Sequence, residues 1–353
     1  VIVFAFVFGA FALLASTCLL ATGITAVGSS LAVTHGAAVL VGIAGCLLSA
    51  ASLLVLLLRR RPAVKGSQAL HLLARFALLF CAVVVAHLTL LHLPYYWDEG
   101  GYYIPAALDF YHRFTLVPEF TNAHPPLPNV MLGLLWHIAG YSVLTTRLCV
   151  CAFAAAGLLA VYTLVKSLAT ATTALAATLL VAVYPIWYAQ STLAHADIFA
   201  AAFALWAITH YLCAETQPSP HSHRKPLVVA TLLSLAVLSK ETAIITPATL
   251  FLVEAVRLLR DRAHTERHLR WLAAFAFPVL PLVAWYAYHH HVTGFTFGNP
   301  EYLRYNATAN LTRAHVLLSL KYRAMHLLWQ RNLWVPITLA LATLLLPRRS
   351  VLR

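Results

Sequence analysis

The sequence reads as an all-α, polytopic membrane protein with about ten transmembrane helices and a long outer loop carrying surface helices. Of its 353 residues, 61% are hydrophobic and only 10% are charged, whereas soluble domains run at about 45–50% apolar and about 25% charged. Mean hydropathy is +0.79. A bilayer core needs about 20 apolar residues per helix, and candidate segments fall near 1–22, 33–58, 70–93, 144–165, 173–190, 196–214, 226–240, 242–259, 271–291 and 327–346. That composition excludes an ordinary cytosolic enzyme, a disordered chain and a secreted disulfide scaffold. Cys18, Cys46, Cys81, Cys149, Cys151 and Cys213 lie in apolar runs without paired or metal-ligand spacing, and read as small hydrophobes.

Charge gives the orientation. The formal net charge of +13 would point to nucleic acid in a soluble protein. Threading the chain with its N-terminus cytoplasmic divides the 24 Lys and Arg residues into 16 cytoplasmic and 8 outer. Arg59–Arg61, Lys65, Arg224, Lys225 and the cluster from Arg257 to Arg270 fall on the cytoplasmic side, as the positive-inside rule requires. The basic balance is therefore topological, and no nucleic-acid partner is expected. Three regions follow: 1–65 with two N-terminal transmembrane helices, 66–291 as the membrane core with its outer loop 94–143, and 292–353 with a second outer loop and a final transmembrane helix. The sequence begins with Val1 rather than Met, which leaves an N-terminal signal unjudged.

The first outer loop is the chemically dense region. Between Tyr95 and His124 it holds four of the eleven acids, Asp98, Glu99, Asp109 and Glu119, and nine aromatics. Such aromatics belong at a membrane interface. Gly101–Arg113 is expected as a short surface helix, and Pro125-Pro126 should break structure before a helix from Pro128 to about Ala139.

Within that loop, Asp98-Glu99 is the strongest candidate. A carboxylate at a partly dehydrated interface is poised to take a proton from a hydroxyl; the alternative is a solvated loop with two incidental acids. Tyr102, in the same motif, is grouped with the substrate-binding candidates. His124 precedes two prolines that fix the backbone and aim its ring, which suits contact with a phosphate or metal, though a plain turn explains the motif equally.

Asp197 lies at the outer mouth of an apolar helix, where an ionisable group is a functional hypothesis; a helix N-terminal acid favoured by the dipole is the alternative. His195 reads as an interfacial histidine. Lys240-Glu241 splits the apolar run 227–259 into two short helices and puts Lys240 on the same side as both carboxylate sites. A lysine there can snorkel, and it can also face an anionic leaving group. The second outer segment, with Glu301, Arg304, Arg313, Lys321 and Arg323, reads as an acceptor- or phosphate-binding cap or as a solvated linker. Sequons at Asn306 and Asn310 matter only in a secretory pathway.

Taken together, Trp97-Asp98-Glu99 after a membrane helix, His124-Pro125-Pro126-Leu127 farther on, and Asp197 and Lys240 at later helix ends resemble the GT-C superfamily of membrane glycosyltransferases. The resemblance is strongest to the branch of protein O-mannosyltransferases and lipid A aminoarabinose transferases, and runs from about Leu70 to about Tyr288. It implies Asp98 as the catalytic base with Glu99 supporting it, and His124 and Lys240 as the groups holding the lipid phosphate. It implies a polyprenyl-phosphate sugar donor and a lipid, glycan or protein acceptor, with single inverting displacement on the non-cytoplasmic side. The protein would then sit in a cell or inner membrane, or in the endoplasmic reticulum membrane of a eukaryote, in contact with membrane lipids. Two helices before the usual first helix, and a sequence ending at Arg353, depart from the family pattern, so acceptor identity is not carried over. A divalent cation is left open, with Asp98, Glu99 and Asp197 as hard oxygen ligands. The competing classes are a secondary transporter using Asp197 and Lys240 as a relay, for which inverted repeats are not evident, and a non-catalytic subunit with the same fold.

Overall fold

The computed structural model describes residues 65–118, 124–216, 224–298, 300–306, 311–326, 328 and 334–345. The expected segments 1–22 and 33–58, Glu119, residues 217–223 and residues 307–310 of the sequons lie outside that set. Every regular element among the described residues is helical. In chain order they are α1 (Lys65–Ala86), a π-turn (Glu99–Tyr103), α2 (Ile104–Arg113), α3 (Leu127–Ala139), α4 (Val143–Leu168), α5 (Ala171–Val183), α6 (Pro185–Gln190), α7 (Ala196–Thr216) and α8 (Arg224–Ser239). A 3₁₀ turn (Glu241–Ile244) leads into α9 (Ile245–Arg260), α10 (Thr265–Ala276), α11 (Val279–Thr293), α12 (Pro300–Asn306), α13 (Arg313–Met325) and α14 (Trp334–Leu345).

Among the described residues, four stretches are long and apolar enough to cross a bilayer: Val143–Leu168, Ala196–Ala214, Glu241–Arg260 and Arg262–Thr293. Leu70–Ala86, Ala171–Val183 and Lys225–Ser239 are apolar but shorter. Where expected segments break, a local cause is visible. Pro185 removes an N–H and pushes Tyr184 to ψ 127°, so the 173–190 run becomes α5 and α6. The 70–93 run is helical only to Ala86 and continues in turns. There the two ring nitrogens of buried His87 face the carbonyl oxygens of Val83 at 2.7 Å and Tyr188 at 2.9 Å, tying the end of α1 to α6. The 271–291 segment starts earlier, at Thr265, and bends at Pro278.

Start and stop signals fit the chemistry. Ser142 Oγ accepts the Thr145 N–H at 3.0 Å and caps α4, and Thr170 does the same for α5 at 3.2 Å. Gly140, at φ +80°, ends α3. Helix α8 stops at Ser239 because Lys240 is extended (φ −151°, ψ 126°), which breaks the long apolar run there.

Helices α1, α5 and α7 pack around α4, α8 packs on α7, and α2 packs on α3. One buried cluster joins Val83, Ile104, Leu132, Trp136, Ala154, Leu158, Ile198 and Phe199, and so seats the outer-loop helices on the bundle. The α2–α3 approach is close because of Gly133: a Cβ there would stand 2.6 Å from Phe110 Cδ1. A second cluster, Tyr211, Ala230, Leu233, Trp271 and Phe275, knits α7, α8 and α10.

Candidate active site

The loop after α1 separates the two neighbouring carboxylates. Trp97 adopts φ +54°, a left-handed conformation rare for a bulky residue and typical of functional turns. Asp98 follows as the N-cap of the π-turn, exposed and without a hydrogen bond or ion pair among the described residues. Glu99, by contrast, is fully buried.

Glu99 meets Arg147, itself only 2% exposed, on the first turns of α4. Arg147 Nη1 donates to Glu99 Oε1 and Nη2 donates to Oε2 at 3.0 Å, a bidentate pair. The same guanidinium nitrogens reach two backbone segments. Arg147 also donates to the Thr192 carbonyl at 2.5 Å and to those of Leu93 and Pro94 at 3.4 and 3.3 Å. Glu99 accepts from the Ala194 N–H at 2.6 Å and the Tyr96 N–H at 3.3 Å. One buried ion pair thus fastens the acidic loop, α4 and the segment leading into α7. Beside it, Tyr95 Oη and Thr146 Oγ1 are 2.8 Å apart, and Trp136 Nε1 donates to the same Thr146 oxygen at 3.1 Å.

Above this clamp the other candidates converge. Lys240 Nζ donates to Asp197 Oδ1 at 2.6 Å, and His124 Nδ1 donates to Glu241 Oε2 at 2.9 Å. The imidazole of His124 lies nearly parallel to the Tyr103 ring (11°, centroids 6.2 Å apart) and meets Tyr102 edge-on at 5.9 Å. Tyr103 also faces His195 at 5.6 Å. Burial pushes the Tyr103 hydroxyl well above the usual phenol range, reinforced by Asp197, Tyr102, Glu241 and Asp98, so it stays a neutral donor. Burial pulls His195 below the ordinary histidine value, against the opposing pull of Glu99, Asp98 and Asp197, and Lys240 lowers it further. Its Nε2 is buried without a hydrogen-bond partner among the described residues. Asp98 and Asp197 act on both rings, Glu241 on Tyr103 and Lys240 on His195, which puts the four in one electrostatic neighbourhood.

The structure brings together Asp98, Glu99, Tyr102, His124, Asp197 and Lys240, and adds four residues that sequence reasoning did not select: Tyr103, Arg147, His195 and Glu241. Arg147 had a detectable signal, since a lone guanidinium in the first turns of an otherwise apolar membrane-length helix is costly unless paired. Among the described residues, no group of three or more His, Cys, Asp or Glu is arranged to hold a metal ion.

Residues 123–285 match the model of a family described as dolichyl-phosphate-mannose-protein mannosyltransferase. The match supports a GT-C glycosyltransferase. It takes in His124, Arg147, Asp197, Lys240 and Glu241, begins after Asp98-Glu99, and does not select a branch of the superfamily. Together with the four membrane-length helices it supports a membrane-embedded transferase of the mannosyltransferase type. No curated protein matches the chain.

Proposed function

We propose that the protein transfers a sugar from a polyprenyl-phosphate-linked donor to an acceptor hydroxyl on the outer face of the membrane, by single inverting displacement. The observation that supports this best is the division of labour around the clamp: an exposed carboxylate, Asp98, in the same electrostatic neighbourhood as Lys240 and, through the Tyr103 ring, His124, which are held on separate elements. The family match over the cation-bearing part of the chain points to the same donor class.

In this reaction the acceptor oxygen attacks the anomeric carbon as its proton passes to the Asp98 carboxylate. The bond from that carbon to the phosphate oxygen breaks, and the electron pair leaves with the lipid phosphate. Lys240 and His124 stabilise that departing charge, which is where fixed cations lower a barrier most. Asp197 holds Lys240 in place until a phosphate competes for the ammonium, and Glu241 holds the His124 ring. Glu99 serves Asp98 through the Arg147 clamp: buried and paired, it fixes the loop from which Asp98 projects. Tyr102 lines the approach beside His124, in a substrate-binding role.

Membranes containing the protein, supplied with radiolabelled polyprenyl-phosphate mannose, are expected to transfer label to an endogenous acceptor. No transfer from that donor or from other polyprenyl-phosphate sugars contradicts the proposal.

A further inference from the structure

Glu241 is an odd residue to find beside a phosphate site, because a carboxylate there repels the ligand. Its placement is specific. Lys240 is extended, so it and Glu241 project to different sides of the chain, and the two clamp different elements. Lys240 reaches Asp197 at the start of α7, while Glu241 reaches His124 ahead of α3, a contact spanning 117 residues. The pair is partly shielded, with side-chain exposures of 16% for His124 and 26% for Glu241. Three contacts then fix the ring. Nδ1 is committed to the carboxylate, the Tyr103 ring sets its plane, and Tyr102 closes one edge. Pro125 restricts the backbone of His124 itself.

Resting on the glycosyltransferase reading, we propose that Glu241 is a positioning residue of the leaving-group site. By accepting the Nδ1–H of His124, it holds the imidazole with its opposite edge, Nε2, turned toward the lipid phosphate. The hydrogen bond made by one ring nitrogen decides what the other can do. In the carboxylate–histidine pairs of hydrolases and metal sites the carboxylate acts through the ring and never touches the substrate.

A double-mutant cycle separates this role from simple bracing of the loop before α3. The probe is undecaprenyl phosphate, titrated into the purified protein in nanodiscs, alongside sugar transfer from the corresponding lipid-phosphate sugar. E241Q is expected to weaken lipid-phosphate binding by about tenfold or more, the usual scale for losing a partner that orients a histidine. H124K supplies a cation that needs no orienting partner, so E241Q added to H124K should change binding by less than about twofold, within the coupling logic of such cycles. E241D, which keeps the carboxylate on a shorter stem, should fall between wild type and E241Q while unfolding at the wild-type temperature. Equal losses in the two backgrounds, or no loss in either, overturn the assignment. Wild type that binds the lipid phosphate but transfers no sugar sinks the glycosyltransferase reading and leaves Glu241 to be judged on binding. Failure of wild type to bind undecaprenyl phosphate overturns the Glu241 assignment itself.

Discussion

Both ends of the helix bundle bury a glutamate, and they use it differently. At the candidate-site end, Glu99 has one side-chain partner, the Arg147 guanidinium, besides two backbone N–H groups, and its surroundings open within one residue to exposed Asp98. At the far end, where α9 turns back into α10, Glu254 is equally buried but shared by several donors. Tyr211 Oη donates to Glu254 Oε2, His268 Nδ1 sits 2.6 Å from Oε1, and Arg257 Nη1 lies 3.4 Å from Oε2 while donating to Tyr211 Oη at 2.6 Å. That network bonds α7, α9 and α10 to one another. The lesson is that a buried ion pair marks scaffold at both ends. Above Glu99 the scaffold gathers partly exposed acids and basic groups from separate segments, Asp98, His124, Asp197 and Lys240; at the Glu254 end the partly exposed Arg257 and Asp261 both come from the C-terminal end of α9.

The largest effect that separates the ends comes from removing a clamp. Breaking a buried pair on one side typically costs about 3–5 kcal/mol because the other charge is left uncompensated. Arg147→Leu should therefore lower the unfolding temperature sharply and abolish transfer in whatever protein folds. His268→Gln leaves Glu254 with Tyr211 and Arg257, so its cost should stay near about 1–3 kcal/mol, with transfer per folded molecule unchanged. Similar thermal losses for the two variants, read by unfolding in detergent, would erase the distinction.

Lys240 sharpens the comparison within the site. Lys240→Met keeps the apolar stem and removes the charge, so transfer should drop at least tenfold with normal expression if the cation stabilises a leaving phosphate. A loss under about threefold, which is less than about 1 kcal/mol of barrier, would reduce Lys240 to a snorkelling residue paired with Asp197.

A smaller effect concerns pH. Burial holds the His195 value below that of the unfolded chain, about 6.5. Below about pH 6.5 the unfolded state therefore binds more protons than the folded one, and stability falls as pH falls; above it this group contributes no slope. Asn at this position stays neutral throughout. The melting temperature of His195→Asn should thus drop less than that of wild type between pH 7.5 and pH 5.5, and equal drops would remove His195 from the buried polar neighbourhood of Asp98.

Much of the helical framework was legible because apolar runs and their breakers are local signals. The Pro125-Pro126 break, the helix after it, and the split at Lys240 all follow from a few adjacent residues. Helix α10 was placed late because its first two turns carry Arg267, His268 and Arg270, and hydropathy alone does not register an amphipathic start. The site was legible as residue types but not as pairs. Asp98-Glu99 reads as two equivalent acids, and only folding brings Arg147, 48 residues on, to bury one and leave the other exposed. Likewise the Glu241–His124 contact joins segments whose spacing in sequence carries no periodicity.

The central claim is that Asp98, and not Glu99, takes the acceptor proton. Asp98→Asn is nearly isosteric and keeps hydrogen-bonding capacity, but its amide accepts no proton at neutral pH. The decisive measurement is the transfer rate of Asp98→Asn under saturating lipid-phosphate sugar, with donor affinity and melting temperature measured on the same preparation. The rate should fall by about 10²–10⁴-fold, the usual worth of a general base, while affinity and melting temperature stay near wild type. A rate within about threefold of wild type, in protein that binds donor normally, would contradict the account.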